Sequence, residues 1–178
     1  MPSSKPATPF KMFFLIGLMG SGKTFWANRI AEHNHFNCID TDVYIETTSK
    51  MSVSNIFKEF GELHFRKLEQ NFIQEIQPKN NHSIISTGGG TACFFDNVQT
   101  MNQKGITIWL DEDVDIIYNR ILLQNSRPLL EKIKTSNLKS YLNEMLLTRK
   151  IFYQQAKYIL HSQEANFNSL QKIIIQNV

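Results

Sequence analysis

Short apolar runs alternate with amphipathic stretches along most of the chain. Apolar residues recur at helical spacing after the first run, at Trp26, Ala27, Ile30 and Ala31. The runs have the length and composition of buried strands: FFLIG (13–17), NCID (37–40), SIIST (83–87), ITIWL (106–110) and YILHS (158–162). Buried strands that alternate with helices predict an α/β sandwich with a mainly parallel sheet.

The remaining pattern predicts several helices. Ser52 is a suitable N-cap for a short helix that runs through Phe60, with Gly61 as its stop. A longer helix follows and ends before Pro78; its apolar face comprises Phe65, Leu68, Phe72, Ile73 and Ile76. Further helices are predicted around 114–122, over 138–156 and over 169–177.

Two segments differ from this pattern. Residues 1–10, MPSSKPATPF, have the composition of a disordered leader, which leaves residues 11–178 as a single domain. Residues 124–137, QNSRPLLEKIKTSN, are polar and basic and lie between two predicted helices. A loop of this length is either a lid over a site or a surface excursion, and the pattern alone leaves both open.

Composition excludes several classes of protein. The 178 residues are 42% hydrophobic and 20% charged, with a net charge of +3, too small to argue for nucleic-acid binding. The longest apolar run, 12–19, is far shorter than the ~20 residues that span a bilayer. Cys38 and Cys93 show no metal-binding or redox spacing. We therefore expect a cytoplasmic protein that binds neither nucleic acid nor a membrane.

The sequence GLMGSGKT (17–24) fits the phosphate-loop pattern G-x-x-x-x-G-K-[ST], and it lies between a predicted strand and a predicted helix. Its glycines allow backbone N–H groups to surround a phosphate at the helix N-terminus. Lys23 would reach the β- and γ-phosphates, and the Thr24 hydroxyl would bind Mg²⁺. This pattern predicts a nucleoside-triphosphate site.

A pair of carboxylates ends the second predicted strand, in IDTD (39–42). Strand alternation would direct Asp40 and Asp42 to the same side, and the carboxyl ends of parallel strands face the phosphate loop. One carboxylate would hold water around the metal, and the other would accept a hydroxyl proton. Capping of a following helix is the alternative role that spacing alone favours.

Glycines and arginines supply the other candidate groups. Thr87 is followed by Gly88, Gly89 and Gly90, which predict either a flexible turn or a close approach of the backbone to a ligand. The chain has only five arginines, at positions 29, 66, 120, 127 and 149. Arg29 has the setting of a surface residue. The other four are candidates for anion binding, because guanidinium groups pair with carboxylates and phosphates through two parallel hydrogen bonds.

In this order, GLMGSGKT, DTD, FRKLE, TGGG, SRPLL and TRKIFY resemble shikimate kinase from about residue 12 to the C-terminus. The resemblance implies a nucleoside-monophosphate-kinase-like P-loop NTPase fold, a three-layer sandwich with a five-stranded parallel sheet in the order 2-3-1-4-5. It also implies a mobile lid at about 124–137 and a substrate-binding helical segment at about 42–77. The implied reaction transfers the γ-phosphate of ATP to the 3-hydroxyl of shikimate, in aromatic amino-acid biosynthesis, by a protein that is commonly a monomer.

Site roles follow from the same resemblance. Asp42 would bind the substrate hydroxyls and act as the base, with Lys23 and Arg127 as the other catalytic groups. Asp40 would join the outer shell of Mg²⁺, with Thr24 as a direct ligand. ATP would be bound by Gly20, Ser21, Gly22, Lys23, Thr24, Phe25, Arg120 and Arg127. Shikimate would be bound by Asp42, Arg66, Gly88, Gly89, Gly90 and Arg149, with Phe57 and Phe65 as an apolar wall.

One departure from the family concerns the adenine. Many members carry an arginine after the fifth strand, whereas HSQEANFN (161–168) has none, so we expect backbone around Gln163 to Asn166 to make that contact. A kinase for another small hydroxylated acid, such as gluconate, is the nearest alternative. A guanine-dependent switch would need an N-K-x-D segment, which this sequence lacks. Loss of activity is a third alternative, and the retained Lys23, Asp42, Arg66, Arg127 and Arg149 argue against it.

Overall fold

A computed structural model describes residues 10–78, 80–123 and 135–178, except for the side chains of residues 135 and 136. The strands are β1 (Met12–Ile16), β2 (Asn37–Asp40), β3 (Ser83–Ser86), β4 (Ile106–Asp111) and β5 (Tyr158–His161). The helices are α1 (Lys23–Asn34), α2 (Thr41–Ser49), α3 (Val53–Glu75), α4 (Asn97–Lys104), α5 (Val114–Leu123), α6 (Thr135–Tyr153) and α7 (Phe167–Asn177). A 3₁₀ turn covers Thr91–Cys93.

All five strands are parallel, and their order is β2-β3-β1-β4-β5, as the resemblance implied. In the central strand, Phe14 lies beside Ile85 of β3 on one side and Thr107 of β4 on the other. Every residue of β1 is buried, because helices cover both faces of the sheet. The predicted fold class is confirmed.

Alternate residues of β1 enter two separate cores. Phe13 and Leu15 pack with α1 and α7 on one face of the sheet. Phe14 and Ile16 pack on the other face, together with residues of α3, α4, α5 and α6. A third, smaller cluster lies between α2 and α3 and contains Ile45, Ile56 and Phe65. The two large cores hold the helices against the two faces of the sheet, and the small cluster holds α2 against α3.

Helix α3 confirms the predicted break at Gly61. The Ser52 hydroxyl accepts a hydrogen bond from the backbone N–H of Asn55, so it caps the first part. Gly61 has φ 79° and ψ 172°, which only glycine adopts easily, and the chain changes direction there. The second part of α3 carries Phe65 into the small cluster and Arg66 to Gly90, after β3.

Helix α4 and the 3₁₀ turn were not predicted, and α6 begins and ends three residues earlier than expected. Residues 124–134 of the predicted lid lie outside the described residues, and this part includes Arg127. Residues 1–9 of the predicted leader lie outside them as well.

Candidate active site

Three neighbouring strands end at the same edge of the sheet, and each leads into a segment that carries polar groups. β1 leads into the phosphate loop, β2 into Asp40, and β3 into Thr87 and the glycine triplet. A cavity of about 1080 Å³ opens there. The predicted residues that line it are Gly20, Gly22, Lys23, Thr24, Phe25, Asp40, Asp42, Phe57, Phe65, Arg66, Gly88, Gly89, Gly90, Arg120 and Arg149. The fold therefore brings together groups that are up to 129 positions apart in the chain (Gly20 to Arg149).

The phosphate loop has the backbone that its glycines permit. Gly17, Gly20 and Gly22 have φ angles of 136°, 79° and 93°, and α1 begins directly after Gly22. The buried Lys23 donates from Nζ to the carbonyls of Gly17 (2.9 Å) and Leu18 (2.7 Å), which holds its ammonium inside the loop. A helix N-terminus and an ammonium at the same point make a site for phosphate.

Ser21 is the one described member of the predicted nucleotide set that does not line the cavity. Its side chain is 1% exposed, and its backbone N–H donates to the Leu18 carbonyl at 3.2 Å. Its hydroxyl has no hydrogen-bond partner among the described residues. Ser21 thus stabilises the backbone of the loop and does not face the cavity.

Asp40 has the capping role that spacing alone favoured, and its other oxygen contacts the phosphate loop. Its Oδ2 accepts a hydrogen bond from the Thr24 hydroxyl at 2.8 Å. Its Oδ1 accepts from the backbone N–H of Asp42 (3.0 Å) and of Val43 (3.4 Å), so the same carboxylate caps α2. The cap fixes the orientation of the oxygen that contacts the phosphate loop.

The strand-alternation argument for Asp40 and Asp42 is wrong. β2 ends at Asp40, and Asp42 lies in the first turn of α2. Both carboxylates nevertheless line the cavity, because the tight strand-to-helix junction directs the first helical turn toward it.

Asp42 is an unusual carboxyl group. Its Oδ1 is buried and has no hydrogen-bond partner among the described residues. Burial, and then the nearby charges of Glu69 and Asp40, raise the pKa of Asp42 to about 6, although Lys23 and Arg66 oppose the shift. A buried acceptor without a partner and with increased basicity is suited to receive a proton from a bound hydroxyl group.

Arg66 is fixed by two carboxylates. Its Nη1 donates to Glu69 Oε2 at 2.8 Å, while Nη2 and Nε donate to Glu62 Oε1 at 2.8 and 3.1 Å. The guanidinium also lies 4.4 Å from the ring centroid of Phe94. Only 3% of Arg66 is exposed, so its planar group has one defined orientation at the cavity wall.

Glu69 links Arg66 to the segment after β3. It is fully buried, and its Oε1 accepts a short hydrogen bond from the Thr91 hydroxyl. Burial raises the pKa of Glu69, while the charge of Arg66 and the bond from Thr91 oppose that shift. The motif FRKLE contains this residue, but its place behind the arginine was not predicted. The spacing of three residues, which puts two side chains on one helix face, was the available signal.

The glycine triplet allows close approaches that a larger residue would block. A Cβ atom at Gly88 would lie 2.6 Å from Glu69 Oε1 and 2.9 Å from Asp42 Oδ1. The Gly88 N–H donates to the Thr41 hydroxyl at 2.8 Å. The triplet therefore approaches side chains of the site closely, and its predicted approach to a ligand stays a prediction.

Two donors from α6 meet at one carbonyl of this triplet. Arg149 Nη1 donates to the Gly89 oxygen at 3.1 Å, and the Tyr153 hydroxyl donates to the same oxygen at 2.5 Å. Tyr153 is completely buried and packs against Trp109, with ring centroids 5.6 Å apart. The segment TRKIFY contains Tyr153, but no role at the site was predicted for it, although it lies one helical turn after Arg149 on the same face.

Arg120 approaches the phosphate loop from α5. Its Nη1 donates to the Gly20 carbonyl at 3.0 Å and pairs with Glu112 Oε2 at 2.9 Å. About 42% of its side chain remains exposed, at the side of the cavity next to Gly22. This is a position from which a guanidinium can contact a ligand on the loop.

The oxygen atoms at the loop suit a hard divalent cation. The Thr24 hydroxyl and the Asp40 carboxylate are 2.8 Å apart, and Ser86 Oγ is 3.0 Å from Thr24 Oγ1. Among the described residues, no group of three or more His, Cys, Asp or Glu side chains could hold a metal ion alone. A cation here would depend on nucleotide phosphates and water for its other ligands, which is the usual manner of Mg²⁺.

A phosphate loop between β1 and α1, a carboxylate at the end of β2 and arginines across one cavity define a P-loop kinase of the nucleoside-monophosphate-kinase-like fold. Residues 19–177 match the model of the shikimate kinase family. The chain belongs to the shikimate kinase family and is an ATP-dependent kinase.

Individual relatives agree with this assignment. The chain is 35% identical over 161 residues to a shikimate kinase of Azobacteroides pseudotrichonymphae, covering 90% of this chain and 95% of the relative. It is 40% identical over 147 residues to one of Bacteroides fragilis, covering 82% of each. A crystal structure of shikimate kinase from Bacteroides thetaiotaomicron superposes with a TM-score of 0.83 at 33% identity, covering 93% of this chain and 97% of that one.

A second solved structure includes a ligand. Shikimate kinase from Acinetobacter baumannii in complex with shikimate gives a TM-score of 0.82 at 27% identity, covering 94% of this chain and 92% of that one. Within the described part of our structure, no helix combines the length and apolar character needed to cross a membrane.

Proposed function

We propose that this protein transfers the γ-phosphate of ATP to the 3-hydroxyl of shikimate, giving shikimate 3-phosphate and ADP. The observation that carries the proposal is that the phosphate loop, the Asp42 carboxyl group and two arginines line one cavity. The related kinase that was solved with shikimate supports the choice of acceptor.

In this proposal the loop residues bind ATP. The N–H groups at Gly20, Gly22, Lys23 and Thr24 surround the phosphates, with Phe25 and Arg120 beside them, while Ser21 supports the loop through its bond to the Leu18 carbonyl. The Lys23 ammonium, held by the Gly17 and Leu18 carbonyls, is the fixed positive charge. Arg127 stays a prediction from sequence, as a group that neutralises charge on the transferring phosphate.

Asp42 is proposed as the base. Asp42 lines the cavity, where its carboxyl group can accept a hydrogen bond from an acceptor hydroxyl. As the hydroxyl oxygen bonds to the γ-phosphorus, the proton passes to Asp42 and the bond to the ADP oxygen breaks. Because the transition state is loose, correct placement of the hydroxyl and neutralisation of charge contribute most of the rate.

Arg66 and Arg149 are proposed to bind the acceptor's carboxylate. A guanidinium has five N–H groups, and the bonds from Arg66 to Glu62 and Glu69 use three of them, which leaves two for a ligand. Arg149, which also lines the cavity, supplies a further positive charge. Gly88, Gly89 and Gly90 make space beside them, and Phe57 and Phe65, 4.8 Å apart, form the apolar wall for the ring.

Mg²⁺ is the divalent ion we propose. Thr24 would bind it directly and Asp40 through water, and the bound ion would neutralise charge on the β- and γ-phosphates.

The acceptor is tested by coupled measurement of ADP release with purified protein and Mg-ATP. We expect turnover with shikimate, little with gluconate, and a low rate of ADP release without either. Equal or faster turnover with gluconate would identify a kinase for another hydroxylated acid. ADP release that does not respond to shikimate would contradict the proposal.

We also propose that the enzyme acts as a monomer in the cytoplasm, as expected for a biosynthetic kinase of this family. Light scattering after size exclusion measures the first point directly, and a mass near the 20.7 kDa of one chain is the expected result.

A further inference from the structure

Two aromatic side chains, Phe25 and Trp26, directly follow the phosphate loop, and both line the cavity. Phe25 is 57% exposed, and its ring lies edge-on against Trp26, with centroids 4.9 Å apart. Large exposed aromatic surface inside a cavity is typical of a region that a ligand covers.

Trp26 and Arg120 approach the same point above Gly22. A Cβ atom built on Gly22 would lie 3.5 Å from Cδ1 and 3.6 Å from Nε1 of Trp26, and 3.6 Å from Arg120 Nη1. The guanidinium is held there by the Gly20 carbonyl and by Glu112. An indole edge and a fixed guanidinium therefore flank the nucleotide side of the loop.

The position of this pair relative to the phosphates limits what it can contact. The acceptor side of the cavity is lined by Asp42, Arg66 and Arg149, whereas Trp26 lies in the first turn of α1 beside the loop. With the phosphates on the loop, the part of ATP next to Trp26 is the nucleoside. The segment after β5, residues 162–168, contains no arginine or lysine that could cover the base instead.

We propose that the Trp26 indole is the stacking surface for the nucleobase, with Arg120 beside it and Phe25 in T-shaped contact with the indole. This inference rests on the proposed use of ATP. A flat π-system and a guanidinium recognise the faces of a purine, so the contact depends on the base and not on the phosphates.

Fluorescence gives a direct test, because Trp26 can be observed alone once the other tryptophan is replaced. The chain has two tryptophans, and the second, Trp109, is buried in the core with 2% exposure. In a Trp109→Phe variant, all tryptophan emission comes from Trp26. We expect saturating Mg-ADP to quench this emission, and inorganic tripolyphosphate with Mg²⁺ to leave it nearly unchanged. An equal response to both, or no response to Mg-ADP, would overturn the proposal.

A second test compares the affinities of variants for ADP and for tripolyphosphate. In Trp26→Leu, the Kd for ADP measured by calorimetry should rise roughly 5- to 150-fold, the range that one stacked base contributes, with the Kd for tripolyphosphate unchanged. Trp26→Phe keeps an aromatic face and should recover much of the loss. A parallel rise of both Kd values would mean that the change disturbs the loop, and it would contradict stacking.

These measurements do not involve shikimate. Failure of the proposed acceptor would appear as a lack of shikimate-dependent turnover while ADP binding and its dependence on Trp26 persist. Failure of the stacking proposal would leave turnover with shikimate intact.

Discussion

The guanidinium of Arg66 lies directly against the α-carbon of Gly90. A Cβ atom at position 90 would lie 2.7 Å from Cζ, Nη1 and Nη2 of Arg66, closer than carbon atoms approach without displacement. Because Glu62, Glu69 and the Phe94 ring hold the guanidinium, it has little freedom to move away. A glycine is therefore required at position 90 because the Arg66 side chain of α3 occupies the space of a Cβ atom.

Gly90→Ala should displace Arg66 and weaken binding of the acceptor's carboxylate. We expect the KM for shikimate to rise by roughly tenfold or more, as for loss of a charge-assisted hydrogen bond, with the KM for ATP unchanged. Steady-state kinetics with each substrate varied in turn checks this. A normal KM for shikimate in the folded variant would show that Arg66 does not bind the acceptor.

Replacement of Arg149 tests the second arginine that lines the cavity. Arg149→Ala should mainly raise the KM for shikimate, because it removes a positive charge from the cavity wall. Lys150→Ala is the matched control, since it removes a neighbouring exposed cation from the same helix. A selective rise in the KM for ATP would assign Arg149 to the nucleotide instead.

Asp42→Asn should reduce turnover by at least roughly 10²-fold, the usual contribution of a general base. In the wild type, the pKa of about 6 predicts that kcat/KM falls as the pH drops below that value, since protonated Asp42 cannot accept the hydroxyl proton. This acidic limb should be absent from the residual activity of Asp42→Asn. An unchanged rate would mean that Asp42 only positions the acceptor.

The raised pKa of Asp42 also predicts that the stability of the folded protein depends on pH. Its pKa is raised from 3.8 in the unfolded chain to about 6 in the folded one, so the folded state binds the proton more tightly. Stability is then lost as the pH rises from about 4 through about 6. Asp42→Asn should have a higher Tm than the wild type above about pH 7, with the gain shrinking toward about pH 4. An equal Tm difference at both pH values would contradict the raised pKa.

The two roles of Asp40 can be separated by choice of substitution. Asn is as good an N-cap as Asp, so Asp40→Asn should keep the Tm while raising the Mg²⁺ concentration that half-saturates turnover. Asp40→Ala should lower stability by about 1 kcal/mol as well, because it also removes the cap. Turnover is measured against free Mg²⁺, and Tm by calorimetry. If Asp40→Asn and wild type require the same Mg²⁺, Asp40 does not act on the metal.

The sequence predicted the fold and most cavity-lining residues, for identifiable reasons. The central strands β1, β3 and β4 are short buried runs, as predicted, whereas β2 and β5 are more exposed than predicted because they lie at the edges of the sheet. Ser52 and Gly61 carry local signals for the limits of a helix. Helix α4 was missed because NVQTMNQK has only Val98 and Met101 as buried apolar positions, too few to show a period.

Contacts between distant elements were harder to predict. Asp40 caps α2 and also contacts Thr24 of another element, and spacing along the chain does not show that second contact. Spacing does indicate Arg66 as a partner of Glu69, but nothing near Glu69 or Tyr153 in the sequence shows their contacts with Thr91 and Gly89. Side chains that support a site from behind were thus found only in the folded structure.

The central claim is that the acceptor atom is the 3-hydroxyl of shikimate. The most direct test is to incubate the wild-type enzyme with Mg-ATP and shikimate, isolate the organic phosphate, and locate the phosphorus by its NMR coupling to ring protons. We predict one product, with phosphorus coupled to the proton on carbon 3. Coupling to another ring carbon, or release of inorganic phosphate alone, would contradict the account.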